Sequence, residues 1–128
     1  MANIQVLEEG PRNLVIKVDG TGGDAAALLV DVSALNPACT SVRLMKAKYD
    51  VSGTGGLVTL LWDATADVPI IYMSTGSGQE ICFHKEGGIT NNAGAGVTGD
   101  VLITSTASTN FSIVLWFAKG GVIDSLVD

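Results

Sequence analysis

The one histidine of this chain, His84, follows one of its two cysteines, Cys82, by two residues in the segment "CFHKE". A thiol beside an imidazole is the beginning of nucleophilic catalysis, provided that the two side chains come within hydrogen-bond reach. The flanking residues read as a strand, on which Cys82 and His84 share a face but lie about 7 Å apart along the chain. Cys39, the other cysteine, is a second candidate partner for His84. The plainer expectation is a surface histidine at a strand end. A structural zinc site takes about four ligands in a tetrahedral array, and two cysteines with one histidine, in no ligand spacing, do not supply it.

The carboxylates lead to the same place. Asp19, Asp24, Asp63, Asp67 and Asp100 fall at strand ends or turns, and none sits in the spaced pattern of a calcium loop. They read as turn caps. "DATAD" (63–67) holds two acids, as glycoside chemistry requires, but so short a turn offers neither a cleft nor an aromatic platform. The glycine clusters "DGTGGD" (19–24), "SGTGG" (52–56) and "GAGVTG" (94–99) lack the Gly-Lys-Ser/Thr ending of a phosphate loop, and none opens a helix. "NFS" (110–112) matches a glycosylation acceptor, which has meaning only on a secretory route. These residues predict no enzyme, no catalytic residue, no metal site and no cofactor.

Composition narrows the partners. The chain has 128 residues, 13 of them acidic and 7 basic, for a formal charge of -6. That excess argues against a nucleic-acid partner, since binding the phosphate backbone needs clustered Lys and Arg. The charged share is 16%, below the roughly one quarter usual for globular proteins, which suits a subunit in contact with neighbours. The start, "MANIQVLEEGPRN", has neither the basic head nor the apolar run of a secretory signal. The strongest apolar run, "IVLWFA" (113–118), is too short to cross a membrane. Folding in a cytosol is expected, where Cys39 and Cys82 stay thiols rather than form a disulfide.

The elements that must position all this are strands. Eight segments read so: 13–20, 26–33, 41–52, 57–64, 68–74, 79–85, 100–106 and 110–120. In "SVRLMKAKYDVS" (41–52) simple alternation puts Met45, Ala47, Tyr49 and Val51 on the apolar face, and Lys46 and Lys48 on the other. In "NFSIVLWFAKG" (110–120) Phe111, Ile113, Leu115 and Phe117 share one face, while Val114, Trp116 and Ala118 share a second apolar face. That strand is expected to be central, with its second face against a partner or a covering loop. Trp62, Trp116, Tyr49, Tyr72, Phe83, Phe111 and Phe117 all lie within strands and are expected in the core. The predicted fold is all-β over a single domain, 1–128: a compact antiparallel β-sandwich of jelly-roll type with about eight strands. A small barrel is the alternative.

Longer segments carry a resemblance. "YDVSGTGGLVTLLWDATADVPIIYMSTG" and "GGITNNAGAGVTGDVLITSTASTNFSIVLWFAKG" resemble small virion structural proteins of tailed bacteriophages. The shared features are the W-D-A-T-x-D hairpin at Trp62 to Asp67, the G-G-I-x-N step at Gly87 to Asn91, the G-x-T-G-D turn at Gly96 to Asp100, and the closing I-x-L-x-x-x-K at Ile113 to Lys119. The match covers about residues 42 to 120, and the first forty residues match no named group. The resemblance implies a virion location after folding in the host cytoplasm, and a non-enzymatic role in repeated copies. A capsid decoration or stabilising subunit fits it first, binding the major capsid protein or another virion protein. A tail-associated or minor capsid subunit is an alternative. Decoration proteins commonly sit as trimers, so a homo-oligomer, and a trimer in particular, is implied. A different alternative is a carbohydrate-binding or receptor-binding jelly-roll module of a tail or fibre, which would display Trp62 or Trp116 as an exposed aromatic platform.

The expected contact residues follow. The loop "GGITNNAGAGVTG" (87–99) holds only two large apolar residues, Ile89 and Val97, with the amides of Asn91 and Asn92. It is expected to pack on a neighbour through these four, while Val114 and Trp116 supply a sheet-face contact. Shortening residues 91–96 is expected to leave stability almost unchanged, because loop length alone costs little entropy, and to reduce incorporation into particles.

Overall fold

The structure is a computed structural model and describes residues 2–107 and 109–121. Nine strands run through the described residues: β1 (Ala2–Glu9), β2 (Asn13–Thr21), β3 (Ala27–Val30), β4 (Ser41–Ser52), β5 (Leu57–Trp62), β6 (Val68–Ser74), β7 (Gly76–Cys82), β8 (Val101–Ser105) and β9 (Asn110–Gly120). They form two sheets, one ordered β1-β2-β9-β4-β7 and the other β3-β8-β5-β6, with every pairing antiparallel. The fold is a two-sheet antiparallel sandwich. β4 and β9 span the segments expected, and β1 is an additional strand.

β9 is central, hydrogen-bonded to β2 on one side and β4 on the other. Its burial alternates without a break: Phe111, Ile113, Leu115 and Phe117 are buried, and Ser112, Val114, Trp116 and Ala118 are half-buried on the outer face. The inner row joins Leu14, Ile16 and Val18 of β2 in one core with Val58, Leu60 and Trp62 of β5, Met73 of β6, and Val101 and Ile103 of β8. Alternation of the residue types therefore dictates the packing, because a strand with one fully apolar face is stable only with that face covered.

β4 departs from simple alternation. Val42 and Leu44 are buried, and so are Ala47, Tyr49 and Val51, because the register shifts between Leu44 and Lys46. The extra residue, Met45, forms a β-bulge whose carbonyl accepts from the Phe83 amide at 2.8 Å. Met45 thus leaves the inner face assigned to it by a strict period of two, and Val42 and Leu44 enter it. Two other segments differ from the expected limits, β3 by ending early and β7 by a shift toward the N-terminus. β3 stops at Val30, and Asp31 then caps a 3-10 turn over Val32–Ala34 by accepting from the Ser33 amide at 3.1 Å. β7 begins earlier, at Gly76, and ends at Cys82.

The inner row of β9 ends at Lys119, a cation on the core side. Its side chain is completely buried, and its Nζ lies 3.1 Å from Glu9 Oε2 and 2.9 Å from the Pro37 carbonyl. Glu9 Oε2 also accepts from the Asn36 amide at 2.6 Å. One ion pair therefore ties the end of β9 to the end of β1 and to the loop after β3. Removing one member of a buried pair leaves the other desolvated and unpaired. Glu9→Gln should lower the unfolding free energy by about 3 kcal/mol in urea titration. Pairing it with Lys119→Met should restore much of that loss, whereas simply additive losses would show that the two groups are uncoupled.

Candidate interaction surfaces

The potential chemistry sits at the end of β7. Alternation turns Ile81 inward and Cys82 outward, and the strand stops there. Phe83 leaves the extended region (φ -115°, ψ 16°) and starts a 3-10 turn over His84–Glu86. His84 is thereby carried back onto its neighbour, with Cys82 Sγ 2.9 Å from His84 Nδ1. The separation of about 7 Å expected for two strand residues fails because the strand ends at Cys82, before His84. Cys39 lies elsewhere, buried in the core, and both cysteines are free thiols. Burial pushes the Cys39 thiol pKa up, against the downward pull of Lys119 and of the Ser41 backbone hydrogen bond. Among the described residues the His84 ring makes no second hydrogen bond that would orient it as a base, and the pair lies exposed.

Of the aspartates expected to cap turns, Asp67 does so within its own turn, Asp63, Asp100 and Asp24 are held by longer-range contacts, and Asp19 lies near a lysine of its own strand. Asp63 accepts from the Thr98 hydroxyl at 2.8 Å, Asp67 from the Ala64 amide at 3.1 Å, and Asp100 from the Val32 amide at 3.0 Å. Asp24 accepts from the Ser105 hydroxyl at 3.2 Å, and Asp19 lies 3.8 Å from Lys17. No group of three or more His, Cys, Asp or Glu side chains able to hold a metal ion occurs among the described residues. A concavity of about 750 Å³ lies at one end of the five-stranded sheet. The register sets Asp19, Ser112 and Asp50 in one cross-strand row on its wall.

The glycine-rich loop is fastened to its own domain. Ile89 forms a β-bridge with Leu44, its amide donating to the Leu44 carbonyl at 2.8 Å and its carbonyl accepting in return at 3.1 Å. Ile89 and Ala93 pack against the core. The Asn91 side chain accepts from the Ala93 amide at 2.9 Å, and the Ala95 carbonyl from the Thr65 amide at 3.1 Å. Gly99 is buried with φ +88°, and a Cβ there would stand 2.1 Å from the Thr40 carbonyl oxygen. Of the four loop residues singled out by sequence, Asn92 and Val97 are exposed, while Ile89 and Asn91 are half-buried. Shortening 91–96 would remove the Ala93 packing and the Thr65–Ala95 bond, so stability should fall, unlike the expectation from loop entropy alone.

The outer faces of the two sheets differ in charge. On the five-stranded sheet, Val114 is flanked in register by Lys17 and Lys48, and Trp116 by Val15 and Lys46. Lys46 Nζ sits 4.8 Å from the centre of the Trp116 ring, a cation–π contact, and pairs with Glu80 at 3.2 Å. Of the two apolar residues expected to meet a partner here, Trp116 is thus partly covered by Lys46, and Val114 lies in register between two lysines. On the four-stranded sheet, no residue of β3, β5, β6 or β8 is charged. Its outward residues form a row Leu28–Leu102–Leu61–Pro69 and a row Thr104–Thr59–Tyr72. Leu28 is 52% exposed and Tyr72 60%. The absence of charge is written in "ALLV", "LVTLLW", "VPIIYMS" and "VLITS", but only the topology puts these four segments side by side.

Two outcomes check the local geometry. Iodoacetamide should alkylate Cys82 in the native protein and Cys39 only after unfolding, because burial withholds both access and the thiolate from Cys39. Equal native rates, read by peptide mass spectrometry, would contradict the placement of Cys39. Gly99→Ala should destabilise by on the order of 3 kcal/mol, from left-handed backbone strain and the clash with Thr40. Thermal unfolding measures it.

No protein-family model matches the chain, and no curated protein matches its sequence.

Proposed function

We propose that this chain is a non-enzymatic structural subunit of a bacteriophage virion that lies with its four-stranded sheet against a larger protein of the particle. One observation carries this reading: every charged residue of a chain with net charge -6 lies outside β3, β5, β6 and β8. Burying a charge at an interface requires desolvating it, and interface centres are accordingly depleted in charge and enriched in tyrosine. The exposed Tyr72 and Leu28 are the natural anchors on this face. The partner in this reading is a capsid shell protein or another virion protein, the subunit acts in repeated copies, and the head is preferred to the tail or neck.

We also read the sandwich as a jelly roll preceded by β1. The pairs β2–β9, β3–β8, β4–β7 and β5–β6 are nested in sequence, and successive pairs alternate between the two sheets. A four-ribbon antiparallel hairpin wrapped into a sandwich has this order. Capsid and lectin domains both use such folds, so the fold alone does not separate the virion role from glycan binding. The surface favours the virion role. Trp62 is 0% exposed, and the Trp116 ring is occupied by Lys46, which leaves no exposed tryptophan pair for a sugar to stack on.

Sedimentation with purified particles of the phage that encodes the sequence tests the proposal. The wild-type chain should pellet with the particles. The Leu28→Lys, Tyr72→Lys double variant should bind at least tenfold more weakly while keeping its circular dichroism and its unfolding temperature. Failure of the wild-type chain to bind would overturn the virion role. Undiminished binding of the double variant would overturn the assignment of the face.

A further inference from the structure

We propose that β1 is a self-association edge, along which two copies of this chain pair antiparallel about a two-fold axis through Ile4 and share one continuous sheet. The inference deepens the reading of a subunit that works in repeated copies, since it names the surface by which the copies meet. β1 ends the five-stranded sheet, with one side bonded to β2 and no strand on its other side among the described residues. Such an edge is a template for another strand unless it is defended by charge, proline, shortness or a twist.

The two edges of this sheet are unequal. β7, at the far side, begins with Gly76, Ser77, Gly78, Gln79 and Glu80, and its pairing shifts register between Tyr49 and Val51. That edge is polar and irregular. β1 has no lysine or proline, and its acids, Glu8 and Glu9, come at its end. Ile4, Val6 and Leu7 are 41%, 53% and 50% exposed, half of the exposed large hydrophobic residues among those described. Ile4 pairs with Val18 and Val6 with Ile16, so both point to the core side. Val18 and Ile16 are nonetheless 0% and 2% exposed. Five strands face four, and among the described residues the inner side of β1 overhangs, with Ile4 and Val6 left exposed on it.

Self-pairing suits this strand in both shape and charge. The regular part of β1 runs up to a register shift between Val6 and Glu8, so a second copy has the segment from residue 2 to Val6 to pair with. An antiparallel match of that segment with itself puts Ile4 opposite Ile4, Asn3 opposite Gln5, and Val6 opposite residue 2. The apolar side chains then meet on the overhanging inner side, and the amides of Asn3 and Gln5 meet on the outer one. Glu8 falls beyond the paired segment in each copy. With a rise of about 3.3 Å per residue, the two Glu8 positions stand roughly 25 Å apart, well past the screening length of about 8 Å in physiological salt. An isologous contact of this kind closes as a dimer, not as the trimer that the resemblance implies.

Analytical ultracentrifugation and cysteine trapping test the proposal on the full chain, without particles, so its failure is separate from failure of the virion reading. The wild-type chain should reach a dimer at high micromolar concentration. Val6→Lys, a charge on an exposed edge position, should raise the dimer dissociation constant at least tenfold with unchanged circular dichroism. In a Cys82→Ser background, Ile4→Cys should form a disulfide-linked dimer under mild oxidation, because directly opposed residues of an antiparallel pair stand about 4.5–5.5 Å apart at Cβ. Leu7→Cys should stay monomeric under the same conditions. A wild-type chain that remains a monomer, a Val6→Lys variant that dimerises normally, or cross-linking of Leu7→Cys in preference to Ile4→Cys would each overturn it.

Discussion

Burial of the inner row of β9 is the constraint on which the rest of the molecule depends. Phe111, Ile113, Leu115 and Phe117 lie in the centre of the larger sheet and face Val58, Leu60, Trp62, Met73 and Ile103 of the smaller one. Fully burying one such side chain is worth about 1.5–3 kcal/mol, so a row of four outweighs any single surface contact described above. Once this row is inside, alternation sends Ser112, Val114, Trp116 and Ala118 to the outside, and hydrogen bonding sets β2 and β4 in register on either side. Lys119, next in the inward series, would break the pattern, and Glu9 balances its charge while the Pro37 carbonyl accepts its hydrogen bond where the core ends.

The same sandwich divides the surface into regions of different chemistry. The larger sheet carries Lys17, Arg43, Lys46, Lys48, Asp19, Asp50 and Glu80, and its outer apolar residues lie among these charges. The smaller sheet carries none and exposes Leu28 and Tyr72. The open edge, β1, belongs to the charged sheet, so pairing of copies along it would leave the uncharged face free for another protein. Two such faces held in one dimer would bind a repeating lattice more tightly than either alone, through effective concentration. The exposed Cys82–His84 pair has the spacing of a nucleophile and its base, but it belongs to the other sheet and is not among the residues lining the concavity of about 750 Å³.

Much of the fold was legible because apolar alternation leaves a direct trace. The limits of β4 and β9 and both faces of β9 could be read from residue types alone. Two kinds of feature could not. The first is local backbone irregularity: the bulge at Met45 slips the pattern by one residue, and the early end of β7 folds His84 back onto Cys82. Each is decided by tertiary hydrogen bonds, such as Phe83 to Met45, that leave no period in the sequence. The second is adjacency. "ANIQVLEE" alternates only from residue 2 to Val6, too short a run to announce a strand, and becomes one by pairing with β2. Ile89 reads as a loop residue, yet the bridge to Leu44 draws it to the core. The uncharged face is spread over segments from residue 27 to residue 105, and no local window reveals that they form one sheet.

A cryo-electron microscopy map of the intact particle tests the central claim most directly, because it shows which face of the sandwich meets another protein. The account predicts density for the sandwich with β3, β8, β5 and β6 turned toward the particle, Tyr72 and Leu28 in contact with its surface, and the lysine-bearing face of the larger sheet toward solvent. A sandwich seated on the larger sheet, with Tyr72 and Leu28 open to solvent, would contradict it.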